Sequence, residues 1–226
     1  MVVVDLSHTV EMGIPRLQGL PHPVVRPYWT HEQAFTSGLF KGVSCEVSEV
    51  NLVGNVGTHL SSPFYFDPGG KDISELPLRA CLGPGVVVDA RTERERLPIG
   101  PDIFSGLELE GKVVLVCTGW DRYWKEPEYE DHPFLTEEAA EFLRDAGIRL
   151  LGMDTLSVDD LGDPSRPVHR ILSRAGVPIV ENLTKLEGLI GKEFTFFAVP
   201  PKLKGASAFP VRAFAILGSP ESIQAK

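Results

Sequence analysis

Residues 54–67 read Gly54-Asn55-Val56-Gly57-Thr58-His59-Leu60-Ser61-Ser62-Pro63-Phe64-Tyr65-Phe66-Asp67, and the rest of the chain is read outward from them. Gly57-Thr58 permits a tight backbone turn that would present His59 at a strand end. Upstream, Leu39–Val53 carries Phe40, Val43, Cys45, Val47, Val50 and Leu52 in a largely alternating pattern, with slips. That pattern predicts a strand running straight into Gly57-Thr58-His59. Downstream, Ser-Ser-Pro is an ordinary turn by itself, and Phe64-Tyr65-Phe66 is an aromatic run that suits a core or a pocket wall.

Short apolar runs recur on both sides. Val2–Leu6 predicts a first strand. Glu11–Ser37 holds Pro15, Pro21, Pro23 and Pro27 and predicts an ordered, wandering loop of the kind that often carries function. Val86–Asp89 and Lys112–Cys117 are Val-rich and suit buried strands. Thr136 can cap a helix over Glu137–Ala146, whose acidic first turn suits the positive helix end and which Gly147 terminates. Arg149–Asp154 and Val177–Asn182 read as strands, with a helix from Pro167 to Ala175 between them. Thr195–Pro200 and Ala208–Leu217 read as a closing β-pair. No repeat or linker divides the chain. The expectation is a single α/β domain over residues 1–226, a strand-rich mixed sheet or barrel with a few flanking helices.

The 226 residues suffice for a proper core, and 42% hydrophobic with 23% charged residues is ordinary globular usage. A formal charge of −9 argues against a nucleic-acid partner, because no basic surplus exists to meet phosphates. Cys45, Cys81 and Cys117 are odd in number and widely spaced, so buried thiols in strands are expected rather than disulfides or a zinc knuckle. The N-terminus lacks the basic flank and long apolar core of a signal peptide, and no run would span a bilayer. A cytoplasmic chain with no membrane partner is expected.

Several segments in order resemble one family. Gly57-Thr58-His59 with Pro63 is similar to the signature His-x-Gly-Thr-His-x-Asp-x-Pro-x-His of the cyclase family of metal-dependent hydrolases, which takes in bacterial kynurenine formamidases and isatin hydrolases. Asp5-Leu6-Ser7-His8, Thr118-Gly119-Trp120, His132-Pro133 before Leu135–Ala140, Gly152-Met153-Asp154-Thr155 with Ser157, His169, and Val180-Glu181-Asn182-Leu183 resemble further family segments. The resemblance covers nearly the whole chain. It implies the family's swivelling β/β/α fold. The four polar positions of the signature fall on Asn55, His59, Ser61 and Tyr65, and only His59 keeps the family residue.

In relatives with the full signature, these positions, the distal His and the Glu of Glu-Asn-Leu hold one or two divalent ions beside an acid/base His. The resemblance therefore implies a rewritten metal site. Asn55 offers a neutral amide, Ser61 removes a shared anionic ligand, and Tyr65 removes a base that titrates near neutrality. His59, His169 and Glu181 could still converge as two imidazoles and a carboxylate, a set able to take one zinc or manganese ion; the alternative is no metal at all.

Each candidate has a plainer reading. His59 could be a core histidine satisfied by carbonyls, and His169 a first-turn surface residue. Glu181 sits in an apolar strand, where a carboxylate needs a partner such as Arg170 or a metal. His59, Tyr65, Glu181 and His169 are the catalytic candidates. Asn55, Ser61, Trp120 and His132 are the substrate-binding candidates, against turn, core or helix-entry roles. Three functions compete: a hydrolase of a small amide, lactam or lactone in the arylformamidase manner with an altered or single-metal site; a metal-free dehydratase, isomerase or cyclase; and a non-catalytic small-molecule binder. By analogy with the family, a homo-oligomer with a small-molecule substrate is expected.

Overall fold

Continuous apolar runs, buried on both faces, build the centre of the molecule. The computed structural model describes residues 1–37, 42–91 and 97–218. Its strands in chain order are β1 (Val2–Asp5), β2 (Val24–Trp29), β3 (Val47–Asn51), β4 (His59–Ser61), β5 (Leu82–Asp89), β6 (Pro98–Ile99) and β7 (Val113–Cys117). They continue as β8 (Phe134–Leu135), β9 (Leu150–Met153), β10 (Ile179–Glu181), β11 (Phe194–Phe197), β12 (Ala208–Pro210) and β13 (Phe214–Leu217). The α-helices are α1 (His31–Thr36), α2 (Glu137–Asp145) and α3 (Pro167–Arg174).

Nine strands form one mixed sheet in the order β1-β13-β11-β5-β7-β9-β10-β4-β12. The middle four, β5, β7, β9 and β10, run parallel, and both flanks are antiparallel. Strand β7 shows how the pleat sorts the core: Val113, Leu115 and Cys117 join one buried cluster, Val114 and Val116 the other. The first cluster brings together Leu6, just after β1, and Leu60 of β4, although these lie near opposite ends of the strand order. The sheet is therefore curled into a half-barrel around that cluster. The Thr184 N–H donates to the Leu6 carbonyl at 3.1 Å and ties the two ends together.

The second cluster is covered by α2 and α3 through Ala139, Ala140, Leu143, Val168 and Leu172. Helix α2 begins as its sequence predicts: the Thr136 hydroxyl accepts from the Ala139 N–H at 3.2 Å. Helix α3 carries Pro167 at its first position, and the fully buried Asp159 carboxylate accepts from the Val168 and His169 N–H groups at 2.7 and 3.2 Å.

Two expectations need correction. The wandering loop of residues 11–37 contains β2 and α1, the latter closed by a capping box between Thr30 and Gln33. Pro27 masks β2 in the sequence, and the ladder is irregular between Pro27 and Trp29. The strand expected over Leu39–Val53 is confined to Val47–Asn51, which pairs only with β2 as a separate ribbon; Gly38–Lys41 lie outside the described residues. Cys45 accordingly precedes β3 and is half-buried, whereas Cys81 and Cys117 are buried, and all three thiols are free. No described helix is long and apolar enough to cross a membrane.

Candidate active site

Register alone places the first pair of functional groups together. Strands β4 and β10 are antiparallel, with Glu181 directly opposite His59, so both side chains rise from the same sheet face. Leu60 and Val180, one residue away on each strand, point into the opposite core cluster. The turn before β4 is fixed by Gly57, whose φ of +61° is left-handed and whose added Cβ would lie 2.7 Å from Val10 Cγ2. Its carbonyl accepts from Asn182 Nδ2 at 3.0 Å and lies 2.9 Å from His59 Nδ1. His59 Nδ1 therefore carries the hydrogen, and Nε2 faces the carboxylate of Glu181.

Helix α3 adds the third group. His169 sits in its first turn, with Nδ1 2.5 Å from Asp159 Oδ2. Its Nε2 then turns towards Glu181. The separations are 3.2 Å from His59 Nε2 to Glu181 Oε2 and 3.4 Å from His169 Nε2 to Oε1. Both Nε2 atoms are fully buried, and neither makes a well-formed hydrogen bond. Oε1 of Glu181 also accepts from the Val158 N–H at 2.9 Å. Arg170 is not its partner, contrary to the plainer reading.

Burial alone would raise the Glu181 pKa, but His169 and His59 outweigh it and hold the carboxyl well below its ordinary range. Burial alone would likewise lower that of His169, yet the Glu181 and Asp159 carboxylates hold it up to about 9. In the metal-free chain, then, His169 is an imidazolium between two carboxylates. A raised folded pKa contributes stability that is complete below the unfolded value near 6.5 and lost as pH rises through about 9. We expect the chelator-treated protein to lose stability across that window. Thermal unfolding from pH 6 to 10 checks this: His169→Gln should flatten this part of the profile, and parallel profiles would refute the assignment.

The groups open into a small chamber lined by Leu17, Asn55, His59, Tyr65, Phe66, Leu156, Ser157, Arg166, His169 and Glu181, with about 20 Å³ of free space. That is room for about one water molecule. Tyr65 and Phe66 pack on the His169 ring with centroids 5.6 and 4.9 Å away. Burial, reinforced by the Glu181 charge, pushes the Tyr65 phenol up to about 12. Asn55 Nδ2 reaches Ser61 Oγ at 3.4 Å, so Ser61 stands behind Asn55 rather than in the lining.

Asn55, His59, Tyr65, His169 and Glu181 thus meet in one chamber although they span residues 55–181. Trp120 and His132 do not line it. Trp120 packs with Tyr129, Leu17 and Leu156 behind the wall, its Nε1 donating to the Glu128 carbonyl. His132 is buried with Nδ1 2.8 Å from the Pro133 carbonyl. Asp159, Arg166, Leu17, Phe66, Leu156 and Ser157 were not anticipated as site residues. Asp159 gave no distinct signal, because it lies in a polar stretch beside Asp160 and Asp163.

Among the described residues, no group of three or more His, Cys, Asp or Glu side chains stands ready-spaced as a metal cage. The donor chemistry nevertheless suits a divalent ion. Two imidazoles have their Nδ1 atoms anchored and their buried Nε2 atoms without hydrogen-bond partners, and both face one carboxylate.

Comparison with known proteins places the family and the fold. The Cyclase family model matches residues 4–160. A kynurenine formamidase from Geobacillus thermodenitrificans (strain NG80-2) is 31% identical over 212 residues, covering 93% of this chain and 95% of that protein. The structure of isatin hydrolase A from Labrenzia aggregata bound to benzyl benzoate superposes with a TM-score of 0.82 at 24% identity, over 95% of this chain and 93% of that one. A structure described as a potential metal-dependent hydrolase with cyclase activity superposes with a TM-score of 0.73 at 26% identity, over 95% and 96% of the two chains.

Proposed function

This chain belongs to the cyclase family, and from that premise we propose that it is a single-metal, arylformamidase-like hydrolase opening a carbon–nitrogen bond in a small aryl formamide or lactam. One observation carries the reading: two buried, hydrogen-bond-free Nε2 atoms and a carboxylate converge on a chamber with room for about one water. Family membership also favours the hydrolase over a metal-free isomerase or a mere binder.

His59, His169 and Glu181 would hold the ion. When bound, it polarises a carbonyl and lowers the pKa of water towards neutrality. The chain's own groups do the rest. The Gly57 carbonyl and the Asp159 carboxylate fix the tautomer and direction of the two imidazoles. Tyr65, kept protonated by its raised pKa, offers an O–H to a carbonyl oxygen as negative charge develops there. Leu17, Phe66 and Leu156 exclude bulk water, which strengthens those interactions. The substitutions at Asn55, Ser61 and Tyr65 remove the second metal's shared carboxylate and the acid/base histidine implied by the family signature.

Assay of the purified protein on N-formylkynurenine, isatin and a simple aryl lactone, with and without added zinc or manganese, tests the reading. We expect hydrolysis that rises with metal and disappears with chelator. Hydrolysis indifferent to chelation, or none on any member of the panel, would overturn it. Turnover of N-formylkynurenine itself should stay below about 1 per second, the low end of ordinary enzymes, because the acid/base His is absent.

A further inference from the structure

The inner chamber is only the narrow end of a larger space. A vestibule of about 580 Å³ adjoins it, lined by Arg16, Leu17, Gln18, Glu130, Leu156, Leu161, Gly162 and Arg166. Leu17, Leu156 and Arg166 line both, so Arg166 stands at the boundary between them. The chain carries a formal charge of −9, yet the charged side chains of this vestibule are two arginines and one exposed glutamate. Both arginines are half-buried and braced on backbone carbonyls: Arg166 Nη1 donates to Asp160 O at 2.8 Å, and Arg16 Nε to Leu20 O at 2.6 Å. No ion pair with a carboxylate occupies either guanidinium among the described residues. Bracing by carbonyls fixes a guanidinium while leaving N–H donors for a planar anion, and a half-buried cation of this kind favours one.

We propose that Arg166, supported by Arg16, recognises a carboxylate on the substrate, away from the scissile bond. The substrate class is then an aryl amide or lactam acid rather than its neutral analogue. This rests on the hydrolase reading above, because the vestibule's depth is defined by that chamber. The alternative source of an anion is the carboxylate released by ring opening, which would stay with His59, His169 and Glu181 instead of reaching Arg166.

The test pairs 4-formamidobenzoate with 4-formamidobenzamide, measuring kcat and KM with metal-loaded wild type, Arg166→Gln, Arg166→Lys and Arg16→Gln. Loss of a charge-assisted hydrogen bond predicts a preference for the acid of about tenfold to hundredfold in wild type, expressed in KM. Arg166→Gln should bring the ratio near one, Arg166→Lys should restore part of it, and Arg16→Gln should reduce it. No preference in wild type, or a preference that survives Arg166→Gln, overturns the proposal. Calorimetric binding of benzoate against benzamide gives an answer even if neither formanilide is cleaved. Benzoate affinity lost in Arg166→Gln supports the anion site on its own, and unchanged affinity refutes it. The absence of cleavage would count only against the hydrolase reading.

Discussion

Glu181→Gln will lower kcat/KM for whichever substrate the chain cleaves by about a thousandfold or more. The amide can still lie opposite His59 in the β4–β10 register and can still accept from the Val158 N–H, so the backbone is not at issue. What is lost is the single negative charge faced by both Nε2 atoms, at 3.2 and 3.4 Å. An ion held by two neutral imidazoles and an amide would be weakly bound. Circular dichroism will show the fold intact, and the metal concentration needed for half-maximal activity will rise with the loss of rate. Activity within tenfold of wild type, at the same metal concentration, would mean that Glu181 only serves to neutralise His169.

Restoring the family residues should have the second large effect. Asn55→His, Ser61→Asp and Tyr65→His together place two imidazoles and a carboxylate beside the existing three donors. Asn55 and Tyr65 line the chamber, and Ser61 stands 3.4 Å behind Asn55, so two of the new groups enter the site and the third supports them. We expect the triple variant to bind a second metal ion and to hydrolyse N-formylkynurenine at least about a hundredfold faster than the parent chain. Equilibrium dialysis and initial rates check both. No change in either would mean that the three positions are not those of the signature.

The sequence carried the parallel centre of the sheet because fully apolar runs such as Val113–Cys117 and Leu150–Met153 have few other places to go. It carried α2 and α3 through Thr136, the acidic first turn, and Pro167. It missed β2 because Pro27 and a mostly exposed strand leave no buried alternation to read. It extended β3 too far because apolar residues in that stretch do not mark a buried face: Val43, ahead of the strand, is 63% exposed. His59, His169, Glu181, Asn55 and Tyr65 could be named together only through the resemblance, since their meeting depends on long-range register and helix packing. Arg166 and Leu17 gave no such signal, being ordinary loop residues until the chain around them folds. Trp120 was misplaced because a Trp after a strand suits a wall and the layer behind it equally well.

His59, His169 and Glu181 are proposed to make one metal site, with no second among the described residues. Metal content by inductively coupled plasma mass spectrometry tests it most directly, on protein dialysed to equilibrium against zinc or manganese, with Glu181→Gln in parallel. The account predicts about one equivalent per chain for the wild type, falling towards zero in the variant. Two tightly held equivalents, or one that survives Glu181→Gln unchanged, would contradict it.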